Sequence, residues 1–168
     1  AGSRARTAQW DFHRQGLRRR QGRERIAAEA KDLPMPPEKP DPLPFARQFM
    51  AALPHARELG LEITRLENGH ATITMPYDPR LVGDPATGVL HGGAISGLLE
   101  IAAIAAIHRA LRVKGSDSAI KQVNVTVDFM RGGVDQMTYA IGEVTRLGRT
   151  MANVEARAWQ EDRDKPIA

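Results

Sequence analysis

Cysteine is absent from all 168 residues. That removes disulfides, thiolate metal ligands and thiol redox chemistry, and it fits a reducing compartment. The phosphate-cradling patterns GxGxxG and GxxxxGKS/T are also missing, so neither a dinucleotide fold nor a P-loop is expected. Of the five histidines, His13, His55, His70, His91 and His108, no two are spaced i, i+4 as on a zinc-binding helix, and no metal or other cofactor is expected. Ser96 lacks the strand-turn-helix glycine context of a nucleophile elbow. No eighteen apolar residues run uninterrupted, and the N-terminal stretch has no apolar core of a secretory signal. The chain therefore reads as soluble and cytoplasmic, with no membrane span.

What is present suits one globular domain, with 42% hydrophobic and 26% charged residues. The net charge of +4 is unevenly spread. Residues 1–31 hold nine Arg and Lys against three acids, a balance of +6 that leaves −2 for the remainder. Residues 1–32 are expected to form a disordered basic arm rather than a nucleic-acid contact, because Trp10 and Phe12 are its only aromatics, too few for a stacking platform. Residues 33–44, LPMPPEKPDPLP, carry six prolines in twelve positions and read as a linker. The folded domain is expected over residues 45–168.

Within it, PFARQFMAAL predicts a short amphipathic helix from Pro44 to about Leu53, where Pro54 intervenes. LEITRL (Leu61 to Leu66) and HATITMPY (His70 to Tyr77) alternate like strands, with Asn68-Gly69 between them as a tight turn, which predicts a hairpin. A proline-punctuated loop follows to Gly88. From Gly92 to Leu111 apolar residues fall on every helical face, which predicts a long buried helix. Ile120 to Met130, Gln136 to Leu147 and Thr150 to Gln160 alternate as strands again, and the final KPIA reads as the start of a fourth. This order is not βαβ alternation; it predicts an α+β fold, an antiparallel sheet wrapped around one central helix.

Two features carry chemistry. Glu100 sits among Leu98, Leu99, Ile101, Ala102, Ala103 and Ile104, none of which offers it a polar partner. An unpaired carboxylate in a buried helix is costly, which makes it a candidate for function; the alternative is a residue at the sheet's edge reaching solvent or pairing with Arg109 or with a residue from another chain. His91-Gly92-Gly93 opens the same helix, where unpaired N–H groups can polarise a carbonyl; the alternative is tight helix packing permitted by the glycines.

LVGDPATGVLHGGAISGLLE resembles the signature of the PaaI-like hotdog-fold thioesterases, in which His-Gly-Gly opens the long helix and an acid follows nine positions after the His, as Glu100 follows His91. VTVDFMR (Val125 to Arg131) and EVTRLGRTMANVEAR (Glu143 to Arg157) resemble that family's strands, so the likeness runs from about Phe45 to the end. It implies a hotdog fold, an acyl-CoA substrate, and a homodimer or dimer of dimers (a homotetramer) with its sites between subunits. It also implies roles: the Gly92 N–H polarising the thioester carbonyl, Glu100 activating water or attacking directly, His91 orienting the loop, and Gly93 beside the substrate.

Two departures from the family pattern stand out. Asp84 replaces an Asn shortly before His-Gly-Gly, and a second carboxylate near Glu100 is expected to raise the pKa of one of the two. Where related enzymes use Ser or Thr from the facing strand, Gln122 stands here, with Asn124 and Thr126 as register alternatives. Arg131, Arg146 and Arg149 are candidates for the CoA phosphates. The expectation is hydrolysis of an acyl-CoA thioester; the alternatives are a hotdog hydratase or dehydratase and a non-catalytic acyl-CoA binding module.

Overall fold

Small side chains decide where the central helix can lie. The strand sequence Thr138-Tyr139-Ala140-Ile141-Gly142 places Thr138, Ala140 and Gly142 on one face of the sheet, all buried. A Cβ at Gly142 would collide with the main-chain carbonyl of Ala102, so the helix rests directly on the strand backbone there. The computed structural model describes residues 43–67, 70–116 and 118–168. The basic arm, the first ten linker residues and the Asn68-Gly69 turn lie outside the described residues.

Helices α1 (Leu43–Ala52) and α2 (Pro54–Glu58) are separated where Pro54, lacking an N–H, ends one and begins the other. Strands β1 (Glu62–Glu67) and β2 (His70–Met75) pair antiparallel, with Ile63 opposite Ile73 and a register shift between Ile63 and Arg65. A 3₁₀ turn (Pro79–Leu81) leads into a small ladder of β3 (Val82–Asp84) with β4 (Val89–Leu90), where the sequence predicts only loop. Helix α3 (Gly92–Val113) follows, then β5 (Thr138–Leu147) and β6 (Ala152–Trp159). The sheet order is β1-β2-β5-β6, every pairing antiparallel, with α3 packed on β2, β5 and β6. The antiparallel sheet around one long helix is the fold that the sequence predicts.

The core lies between sheet and helix. Ile73, Met75 and Leu98 are enclosed within 1% exposure, each contributing about 1.5–3 kcal/mol by burial. The helix is long and apolar enough to span a membrane, but its packing on the sheet makes it the core helix. Burial on every face holds only for its first half: Ala94, Ile95, Gly97, Leu98, Leu99, Ile101 and Ala102 are buried, while residues from Ala103 onward are at best half-buried. Six consecutive residues, Ala103 to His108, are half-buried, so among the described residues no face over that stretch is fully enclosed. His108 is half-buried, and burial and Arg112 push its imidazole pKa down.

The segment 120–130 is not the strand that its alternation predicts. It carries no ladder, and Val123 and Val125 are 84% and 55% exposed. The reason is the place beside β6. There the Met130 and Arg131 N–H groups donate to the Ile167 carbonyl (2.9 and 3.2 Å), while Ile167 donates to Ala158 (2.7 Å) and Ala158 to Ala168 (2.8 Å). Thus KPIA makes strand-like bonds over its last residues without forming a strand. The rest of the segment has the periodicity of a strand and, among the described residues, no neighbour to pair with.

Candidate active site

His91 is the N-cap of α3, with φ −65° and ψ 134°, and its imidazole takes the part usually played by Ser, Asn or Asp. Nδ1 accepts from the Gly93 N–H at 2.9 Å. The His91 carbonyl accepts from Ala94 (2.9 Å) and Ile95 (3.3 Å). That leaves the Gly92 N–H, for which no acceptor exists among the described residues. A Cβ at Gly93 would stand 2.8 Å from Nδ1, so the bare residue is what lets the ring fold back on the helix.

The 3₁₀ turn and strand β3 brace this cap. The His91 N–H donates to the Leu81 carbonyl (2.7 Å), and a Cβ at Gly83 would lie 2.8 Å from His91 Cα. Behind it the Leu90 N–H donates to the Gly133 carbonyl at 2.9 Å.

Asp84 is engaged in its own turn. Oδ1 accepts from the Ala86 N–H (3.0 Å) and Oδ2 from the Thr87 hydroxyl (2.7 Å), while its carbonyl accepts from Thr87 and Gly88. Gly88 closes the turn at φ 72°, a left-handed conformation that suits glycine. Those hydrogen bonds, Thr87 first and Ala86 second, hold the Asp84 carboxyl below the usual carboxylate range. For Asp84 the expected upward push is therefore replaced by a downward one.

Glu100 lies two turns into α3 and is only half-buried. Its polar partner comes from outside the helix. With the Gln122 amide turned so that Nε2 faces the carboxylate, the nitrogen donates to Oε1 and, at 3.3 Å, to Oε2. The structure thus brings together Glu100 and Gln122, two of the residues singled out from sequence. Asn124 and Thr126 are exposed. The Arg131 guanidinium is committed to the Pro166 carbonyl, at 3.3 Å from Nε and 2.9 Å from Nη2. Gly142 faces Ala102, so Arg146 and Arg149, further along β5 and in the turn after it, lie towards the C-terminal end of α3, away from Gly92.

Phe129 was not legible as a site residue. A Cβ at Gly92 would lie 3.0 Å from its Cζ, so the ring stands against the first residue of the helix, yet it is 53% exposed. The available signal was the alternation Val125, Val127, Phe129, which puts the ring on the same side as Val127, and Val127 packs on the core. Among the described residues no three His, Asp or Glu side chains converge as metal ligands. A polar cleft of about 100 Å³, lined by His70, Ile141, Glu143, Glu155, Arg157 and Arg163, opens on the sheet face turned away from α3, and so lies apart from Glu100.

Gly92 and Glu100 stand at different points of one helix. Eight residues at about 1.5 Å each separate them by about 12 Å along the axis, further than one carbonyl and one water can bridge.

A family model described as Thioesterase superfamily matches residues 87–167. The medium/long-chain acyl-CoA thioesterase YigI of Salmonella typhimurium is 27% identical over 124 residues, covering 68% of this chain and 80% of that one. A Mycobacterium tuberculosis protein named as an esterase is 31% identical over 113 residues, covering 67% of this chain and 75% of its own. Among solved structures, Escherichia coli PaaI, from the phenylacetic acid degradation operon, superposes with a TM-score of 0.55 at 21% identity, covering 74% of this chain and 87% of that one, which is a likeness of fold.

Proposed function

The chain belongs to the thioesterase superfamily and is a thioester hydrolase, and from that premise we propose that it hydrolyses an acyl-CoA to the free acid and CoA, with Glu100 as general base. The Glu100 carboxylate takes a proton from water as the water oxygen bonds to the thioester carbon. The carbonyl oxygen gains the negative charge and is held by the Gly92 N–H. Collapse of that intermediate breaks the C–S bond, and the departing CoA sulfur recovers the proton. Gln122, donating to the carboxylate, fixes its orientation.

The observation that carries this reading is the pair of polar groups on an otherwise apolar stretch of α3: an N–H without an acceptor among the described residues at Gly92, and a half-buried carboxylate at Glu100. Because about 12 Å separates them, the working site needs Gly92 from one copy and Glu100 from another, and a two-fold dimer supplies two such sites. Half-buried Ala103, Ile104 and Ile107 continue beyond Glu100 and suit an aliphatic acyl chain, as does the medium/long-chain activity for which the Salmonella relative is named.

The test is thiol release across acyl-CoAs of increasing chain length. Glu100→Ala is expected to slow turnover about a hundredfold or more, with the thermal midpoint little changed. Undiminished turnover in the folded variant removes the assignment. Single turnover in ¹⁸O-water tests for direct attack: label in Glu100 reports an anhydride opened at the Glu100 carbonyl, an outcome that a general base does not give.

A further inference from the structure

We infer that Phe129 forms a wall of the oxyanion pocket at the Gly92 end of its own chain, and therefore shapes the site completed by Glu100 of the partner subunit. This rests on the thioesterase reading above.

Helical Cα–Cβ bonds tilt towards the helix N-terminus, so the open Cβ direction of Gly92 and its unpaired N–H lie at the same end of α3. Phe129 fills that direction, with Cζ, Cε1 and Cε2 at 3.0, 3.3 and 3.5 Å from the Cβ position. The residue as a whole is 53% exposed, so it is not a core residue that happens to graze the helix. On the neighbouring position the His91 ring folds against Gly93, 2.9 Å from its N–H. The first residue of the helix thus has an apolar ring on its Cβ side and a polar ring on the next N–H along. An N–H aimed at developing charge stabilises it far more when water is kept away, and a phenyl edge supplies that exclusion without competing for the hydrogen bond.

The segment that carries Phe129 also carries Gln122, which meets Glu100. The two contacts are made at points of α3 about 12 Å apart. In a two-fold pair, one segment therefore serves two sites: Gln122 acts where its own Glu100 acts, and Phe129 acts where its own Gly92 acts. The role is one of positioning and water exclusion, and it predicts a particular pattern of kinetics.

Phe129→Ala is expected to lower kcat about tenfold, less than loss of a whole oxyanion donor, with KM for acyl-CoA changed less. Phe129→Leu, which retains apolar bulk, is expected to recover most of the loss. The segment makes no ladder, so neither substitution removes a strand pairing. The decisive arm mixes inactive Glu100→Ala with Phe129→Ala after subunit exchange. Mixed dimers then contain one intact site, and a randomly re-paired population regains about a quarter of the wild-type rate. If the wild-type chain releases no thiol, the thioesterase reading fails and this inference fails with it. Wild-type kcat in Phe129→Ala, alongside an active parent and an inactive Glu100→Ala, overturns this inference alone. A slowed Phe129→Ala with no gain on mixing overturns the assignment to the partner's site.

Discussion

At the scale of single residues, the helix start depends on an imidazole. His91→Ala removes the acceptor for the Gly93 N–H and is expected to cost about 1 kcal/mol, read as a lower urea midpoint, together with a fall in kcat as the Gly92 N–H loses its fixed direction. His91→Asn keeps a cap acceptor and is expected to restore most of the stability. Asp84 gives a pH signature of definite sign. Its folded pKa lies below the ordinary 3.8, through bonds from Thr87 and Ala86. Its contribution is therefore present above the unfolded carboxyl range and is lost as pH falls through the folded value. Thr87→Val is expected to flatten that acid limb of the stability curve in urea titrations at pH steps from about 5 to about 2.5, with no change at neutral pH beyond the loss of the hydroxyl. The placement of His91, Gly92 and Glu100 along one helix was legible in the sequence because their spacing is local information. Gln122 was placed through strand alignment. Phe129 was not legible, because what matters is a close approach between segments some forty positions apart, permitted by the missing side chain of Gly92.

At the scale of elements, the contact of α3 with β5 is set by Gly142. Gly142→Ala drives a methyl into the Ala102 carbonyl and is expected to destabilise by about 1–3 kcal/mol, a shift in the urea midpoint that Glu143→Ala, on the opposite face, does not share. Hairpin, long helix, β5 and β6 were all legible from periodicity and turn residues. The segment 120–130 was legible in its alternation but not in its pairing. Period-two patterning reports which side chains share a face; it says nothing of whether a neighbouring backbone stands there to bond. The second half of α3 taught the same lesson. Its apolar residues on every face predict burial, but among the described residues each face is covered only in part.

At the scale of the whole molecule, these uncovered surfaces belong together. Val123, Val125, Phe129 and Met130, at 84%, 55%, 53% and 60% exposure, lie on one segment that borders Glu100 at one point and Gly92 at another. In the dimer proposed above, the second copy that completes the site is expected to cover such a surface. Val125→Glu is expected to lower the dimer fraction in sedimentation experiments and to make specific activity rise with protein concentration. Unchanged association and concentration-independent activity contradict the shared site. The extended segment has a further consequence, and it is kinetic. In the two-fold pair proposed above, one unladdered strip of backbone reaches both sites, so filling one is expected to alter the mobility of a residue at the other. The two turnovers of such a pair are then expected to be coupled, and their cooperativity is read from the departure of the acyl-CoA saturation curve from a hyperbola.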